Sequence, residues 1–436
     1  MISSHVQRIR GLRLCPLAAG LVLAFGAGAA TTHTVTTCSD DAVLPKCDGT
    51  DGGTLRAAYF CAQDSDKIDL TQLQCSKITL SAPLTGAPRD IYLCGPGKDK
   101  LAIDGDGKFR VLVHGGPSYG HLIVHDLTIT NGNYVNTYSP GFGSGGGCIY
   151  SSASVELTRS VVSDCSTSAT QNVAKGGAIY AQQGVLLVDS TVTGSTMQSL
   201  VSNSEGAGIW SYSVGLIRSA VSGNIASAPS YTLGGGVFAT HEVGIYYSTI
   251  SGNGADIGAG VWSATVRMQG STVSGNDGST VGGVYATNSA SVYNSKIAKN
   301  TAATRAVAAA GLYVLSPNIE LQSSIIAKNT AGAADSDVGS YYAATIAGAN
   351  NLIMTHLVRT NVPGDTIADD PKLGPLQDNG GPTRTHALLS GSPAINRGNN
   401  VINANIDQRG FDRIVGASAD IGAFESDHIF VNAFDP

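Results

Sequence analysis

His241 and Glu242 are neighbours of the types that pass protons in general acid–base catalysis, and His241 is the only histidine within residues 145–339. A glycoside hydrolase needs two carboxylates facing one bond, and a metal-assisted lyase needs several gathered on adjacent elements. Residues 145–339 hold ten acidic and eight basic side chains, and they scatter; Glu242 with Asp256, and Asp335 with Asp337, are the acidic pairs to weigh. Solvated turn positions account for them. His121, His125 and Asp126 are metal-ligand types, but the last two fall where the chain turns a corner. Asp104-Gly105-Asp106-Gly107 opens like a calcium loop without the carboxylates that complete one, so it reads as a tight turn. There is no Gly-Lys-Ser/Thr phosphate loop, nucleophile elbow or HExxH motif. No catalytic residue, metal or cofactor is therefore assigned.

The elements that position these residues repeat. Gly146-Gly147-Cys148-Ile149-Tyr150 recurs as Gly176-Gly177-Ala178-Ile179-Tyr180 and Gly206-Ala207-Gly208-Ile209-Trp210, and then in lines ending at Phe238, Trp262, Tyr285 and Tyr313. Intervals of 30, 30, 28, 24, 23 and 28 residues between the aromatics are solenoid periods, varied by insertion. One parity of this first strand is aliphatic and small. The other carries Tyr150, Tyr180, Trp210, Phe238, Trp262, Tyr285 and Tyr313, followed by residues such as Gln182, Tyr212 and Thr240. The bulkier, more polar set is expected outside. Two roles fit an external aromatic column: mutual stacking, worth ~0.5–1.5 kcal/mol per contact, and a binding strip for sugar rings, with Tyr212 included. Long segments 166–175, 195–205 and 225–233 are expected to wall one side of it.

After the aromatic, each line carries two further short strands, as in Val214-Gly215-Leu216 and Ser219-Ala220-Val221-Ser222, separated by a two-residue step in phase that makes a corner. Strands this short must stack line on line, about 4.8 Å apart. The expected fold is all-β, a right-handed parallel β-helix of three short strands per coil and roughly ten coils. Seven serines from Ser160 to Ser324 mark one corner. Asn224, Asn253, Asn276, Asn300 and Asn329 mark another, as stacked amides that bond one another and the turn backbone.

The ends differ from the repeats. Arg8, Arg10 and Arg13 precede an apolar run, residues 14–30, that reads as an export signal. Of the seven cysteines beyond it, Cys38, Cys47, Cys61, Cys75 and Cys94 crowd ahead of the repeats, with Cys148 and Cys165 inside them. This implies an oxidised, disulfide-stapled N-terminal cap over residues 31–98, with one thiol left over or a pairing the order does not assign. Thr54 to Ala62 is the best helix segment and is placed over the open end of the solenoid, 99–339. Residues 340–426 are loop-rich, and 427–436 form a short tail. The roughly 97 residues beyond Gly339 are too few and too Pro-rich for a membrane barrel of alternating strands, and no later segment is apolar enough to span a bilayer as a helix. Charged residues are 13% and net charge is −6, which argues against nucleic acid or an anionic membrane as partner.

The Gly-Gly-x-Ile-Tyr lines with Ser-x-Val-Ser-Gly-Asn endings resemble bacterial right-handed parallel β-helix repeat proteins. Thr54-Leu55-Arg56-Ala57-Ala58 resembles the core of the CSLREA-type N-terminal domain, with Gly53 where that family has Cys and Ala57 where it has Glu. Asp370-Pro371-Lys372-Leu373-Gly374-Pro375-Leu376, Asn379-Gly380-Gly381-Pro382-Thr383, Asp407-Gln408-Arg409-Gly410 and Asp420-Ile421-Gly422-Ala423-Phe424-Glu425 are similar to the choice-of-anchor Q domain. The last residues, from Asp427, resemble short tails on exported proteins of some Gram-negative bacteria. The resemblance implies a protein that is secreted or on the outer surface of a Gram-negative bacterium; a monomer is expected. Its expected role is adhesion or binding of a polysaccharide or cell-surface glycan. A polysaccharide lyase or glycoside hydrolase, and a purely structural surface component, are the alternatives.

Overall fold

The computed structural model describes residues 30–40, 47, 53–86, 90–115, 120–137, 145–303 and 308–426; the export signal and the tail expected at 427–436 lie outside these residues. The chain is a parallel β-solenoid. A 16-stranded sheet forms one long face and an 11-stranded sheet, running from Lys77–Thr79 to Leu352–Ile353, forms the second. A third side is built by shorter sheets, one of them Asn133–Asn136, Ser166–Ala169, Thr196–Ser199 and Ile225–Ser227. Neighbouring coils pair in parallel, with Ile179 opposite Ile209 and Val192 opposite Val221. Each coil therefore completes the backbone bonding of the previous one, which is what makes three-residue strands viable.

Two features depart from the sequence reading. In the central coils the first and second strands are one continuous strand, as in Ile179–Val188, Ile209–Ile217 and Val237–Tyr246, with a bulge where they join. The coil also extends beyond 99–339: Thr32–Thr34 and Asp66–Asp69 pair ahead of it and Leu352–Ile353 pairs with Ile325 and Ile326 after it. These outer coils keep strand alternation but lack the small-aromatic motif.

Inside, one aliphatic core runs the length of the solenoid from Val35 to Ile353. Two polar ladders flank it. Each serine of the first corner accepts a hydrogen bond from the backbone N–H of the previous one, Ser160 to Ser190 to Ser219 and on to Ser324, whose own N–H is accepted by Asn351. The asparagine column is also buried. Oδ1 of Asn276 accepts from both the backbone N–H and Nδ2 of Asn253, while its Nδ2 donates to Ile250 O and Asn300 Oδ1. The same pattern links Asn224 to Asn253 and Asn300 to Asn329.

Asn329 has no sixth asparagine to bond, and Asp337 takes that place. One carboxylate oxygen accepts from the backbone N–H and Nδ2 of Asn329, the other from the N–H and hydroxyl of Thr355. Only a carboxylate presents acceptors on both sides; an asparagine would turn a donor toward Thr355. Burial raises this carboxyl to about 6 against those four bonds. The folded protein thus holds the proton more tightly than the unfolded chain does. Its contribution to stability is complete below the ordinary value of 3.8 and is lost as pH rises through about 6. Urea unfolding of wild type and Asp337→Asn in parallel is expected to show the wild-type advantage shrinking between pH 4 and pH 6, by at most about 3 kcal/mol. A constant or growing advantage would refute this.

At the N-terminal end the helix Leu55–Cys61 is capped by Thr54, whose hydroxyl accepts from Ala57 N–H, and it buries Leu55, Ala57, Ala58 and Tyr59. Arg56 fixes its outer side by a two-pronged bond to Asp40 and by donating to Ala82 O and Pro83 O. Cys38–Cys75 and Cys47–Cys61 staple this cap, and Cys148–Cys165 closes one coil internally. Cys94 is disulfide-bonded as well, so no thiol is left free among the described residues.

Residues 340–426 fold back along the second sheet. Leu373, Leu388, Ala394, Ile421 and Phe424 pack on Ala298, Ile325, Ala327 and Leu352. Further along, Gln408 donates to Ser248 O and Thr249 Oγ1 and accepts from Thr272 Oγ1. His386 lies 2.8 Å from both Ser274 Oγ and Gly374 O. Because a carbonyl only accepts, Nδ1 carries the proton and Nε2 accepts from Ser274; burial lowers this imidazole to about 4 and keeps it neutral. The buried Lys296, lowered to about 7 by the loss of water, donates to His386 O.

Candidate functional site

The aromatic residues occupy one register position on the outer side of the long sheet, Tyr150 opposite Tyr180, Trp210, Phe238, Trp262, Tyr285 and Tyr313 in turn. Their rings form one stack, with successive centroids 5.4, 4.6, 6.3, 4.4, 6.2 and 6.1 Å apart and interplanar angles of 2° to 28°. Strand spacing is the cause: parallel neighbours lie about 4.8 Å apart, close to the thickness of stacked rings. Outside the core is therefore not the same as open to solvent. Tyr150, Tyr180, Phe238 and Tyr313 are buried, and Trp210, Trp262 and Tyr285 are half-buried. Ring faces that a sugar would need are occupied by other rings, so the column offers edges.

The segment wall closes the stack further. It contains short strands rather than open loops: Ala174–Lys175, Ser204–Glu205 and Thr232–Leu233 make a small sheet beside the aromatics. Lys175 Nζ sits 4.6 Å from the Trp210 ring, whose indole N–H donates to Glu205, and Arg110 lies between the rings of Tyr134 and Tyr150. Tyr180, Tyr285 and Tyr313 hydroxyls are raised, chiefly by burial.

Open positions lie two residues further on, at the bulge. Between the paired positions Ala181, Ser211, Ala239, Ser263, Ala286 and the paired positions Gly184, Ser213, Glu242, Thr265, Ser289, coils insert two, one, two, one and two residues. The inserted residues are Gln182 and Gln183, Tyr212, Thr240 and His241, Ala264, and Thr287 and Asn288. Tyr212 is 48% exposed and stacks on the exposed His241 at 5.0 Å. Gln182, Gln183, Thr240 and Asn288 are exposed beside them. A bulge turns side chains out of the pleat, and the result is a strip of amides and hydroxyls centred on two accessible rings.

The acidic candidates do not converge here. Glu242 is bonded to Arg267 at 2.7 Å, Asp256 accepts from Thr232 and Ser279, and Asp337 closes the asparagine ladder. Asp335 is exposed. His121 pairs with Asp90, Asp126 with Arg159, and Asp104 with Lys77 and Asn131. His125 is buried, and burial lowers it. Among the described residues no group of three or more His, Cys, Asp or Glu is placed to hold a metal.

Of the expected strip, then, Tyr212 belongs to the accessible surface and the seven aligned aromatics to its support. His241 lies in that surface, as a ring stacked on Tyr212. The sequence pattern sets Thr240 beside Tyr212; the two-residue bulge that brings His241 out as well was not readable. Among the described residues no helix is long and apolar enough to cross a membrane. Set against protein-family profiles, curated proteins and solved structures, the chain matches none of them.

Proposed function

We propose that the protein is an exported scaffold, extracellular or on the outer cell surface, that binds glycan through the bulge strip of its long sheet without turning it over. The observation that carries this is the exposed Tyr212–His241 pair, set among Gln182, Gln183, Thr240 and Asn288 on a base that the seven-ring stack stiffens. A rigid aromatic face flanked by amides and hydroxyls suits a pyranose, which has apolar C–H faces and hydroxyl edges. The disulfides fit an oxidising compartment. The resemblance to CSLREA-type and choice-of-anchor Q domains supports the same setting.

Binding of wild type and of Tyr212→Ala/His241→Ala to a panel of immobilised neutral and acidic polysaccharides tests the proposal. Both residues are exposed and outside the stack, so the variant is expected to keep the wild-type melting temperature and to lose affinity by about tenfold or more. Unchanged binding, or release of oligosaccharides by the wild-type protein, would overturn it.

A further inference from the structure

The second sheet carries its own outward face, and this chain treats the two halves of that face differently. From Thr249 onward it is covered by residues 340–426. Toward the N-terminus it is open, and there it floors a cleft of about 380 Å3, within the range of ligand sites. Thr191 and Ala220 form the floor. Pro382, at the edge of the docked C-terminal region, forms one end. The loop at Gly97 and Lys98 forms the other, held down by Thr128, whose hydroxyl donates to Lys98 O at 2.7 Å.

One side of the cleft is a ladder of charges of alternating sign. Asp126, Arg159, Asp189 and Arg218 occupy the same corner in four successive coils, all with left-handed backbone, and span about 14 Å. Arg159 makes a two-pronged bond to Asp126, and Arg218 makes one to Asp189. Each guanidinium has five N–H groups and spends two on its partner, and each carboxylate oxygen has a lone pair to spare. The rim thus offers donors and acceptors in alternation while its charges cancel.

The outward face changes chemistry along the sheet, from hydroxyl-bearing positions that continue under the edge of the cover at Thr249, Thr272 and Ser274 to apolar ones deeper beneath it. Beneath the C-terminal region the outward positions include Ala298, Ile325, Ala327 and Leu352, which receive apolar side chains. In the open half the corresponding positions are Thr191, Thr193, Ala220 and Ser222, with the Thr193 and Ser222 hydroxyls bonded at 3.1 Å. Such a floor has no hole for an apolar anchor, which a bound peptide needs. With the rim's charges paired and Lys98 and Asp99 adding one of each sign, the cleft carries no net charge to favour a charged ligand. We infer that this cleft is a second binding site, for a neutral oligosaccharide lying along the solenoid axis, with ring hydroxyls bonded to the Arg–Asp ladder. It shares the ligand class proposed for the bulge strip but lies on another sheet and stands or falls separately.

Cellohexaose, xylohexaose and mannohexaose, each at millimolar concentration, are titrated into the whole protein and followed by saturation-transfer NMR. At least one is expected to bind. Ala220→Trp, which fills the cleft, and Arg159→Ala/Arg218→Ala, which strips the rim while leaving the floor, are each expected to weaken it about tenfold or more. Tyr212→Ala/His241→Ala is expected to leave it unchanged. The inference is overturned if none of the three binds, if both cleft variants bind as wild type does, or if only the Tyr212/His241 variant loses binding. It is also overturned if a synthetic peptide of residues 380–390 binds the cleft and the sugars do not.

Discussion

Asn276→Ala lowers the free energy of unfolding by about 3 to 5 kcal/mol, the sum expected when two buried backbone groups lose their partners at once. The alanine removes the acceptor for Asn253 N–H and the donor for Ile250 O, at a position with no exposure to water. Asn276→Ser is milder. Ser195 already stands in the same column one coil before Asn224, where its hydroxyl accepts the N–H of Cys165, so an acceptor alone keeps part of the interaction. Urea denaturation of the two variants beside wild type measures both. A loss under about 1 kcal/mol for the alanine would show that the ladder follows the fold instead of holding it.

Arg413→Met releases the C-terminal region from the second sheet. Arg413 is among the largest fully buried side chains; it bonds Glu425 at 2.9 Å, Asp420 O at 2.6 Å and Asn294 on the solenoid at 3.3 Å. Burial works against charge on both partners, raising the Glu425 carboxyl and lowering the guanidinium. Breaking such a pair from one side leaves the other charge stranded, a loss of about 3 to 5 kcal/mol. Glu425→Gln added to Arg413→Met should restore part of it, because the amide carries no charge and its oxygen still accepts from Asp420 N–H, while its NH2 replaces the longer acceptor for Val415 N–H. Limited proteolysis across residues 340–426, with urea unfolding, reads the effect. A double variant no better than the single one would refute the account.

These residues also mark the limit of what the order of amino acids discloses. Tyr150, Tyr180 and Trp210 announce their alignment because a parallel stack puts like on like in every coil, and the asparagine and serine columns are legible for the same reason. Parity told which side of the sheet the aromatics take. It could not tell that neighbouring rings would cover each other, since exposure depends on spacing between coils. Asp337 lies outside the repeat frame, reached by the antiparallel turn of Thr330–Ala331 with Ala334–Asp335, and so reads as a solvated turn. Asp407, Arg409, Arg413, Asp420 and Glu425 look like loop residues among Gly and Pro. They are buried because the chain folds back on a sheet up to 160 residues earlier, as Gln408 does on Ser248. No local pattern encodes such a return. A cluster of both charge signs within 19 residues of small neighbours was the available hint.

The asparagine column has a direction. Between its side chains each rung gives a hydrogen toward the C-terminus and takes one from the N-terminal side, and from Asn224 to Asn300 every rung gives to one like itself. A whole coil can therefore be duplicated or lost between Asn224 and Asn329 without any rung meeting a new neighbour. The length of this protein is thus open to change by gene duplication, while Asp337, the one residue that accepts on both sides, has to stay last.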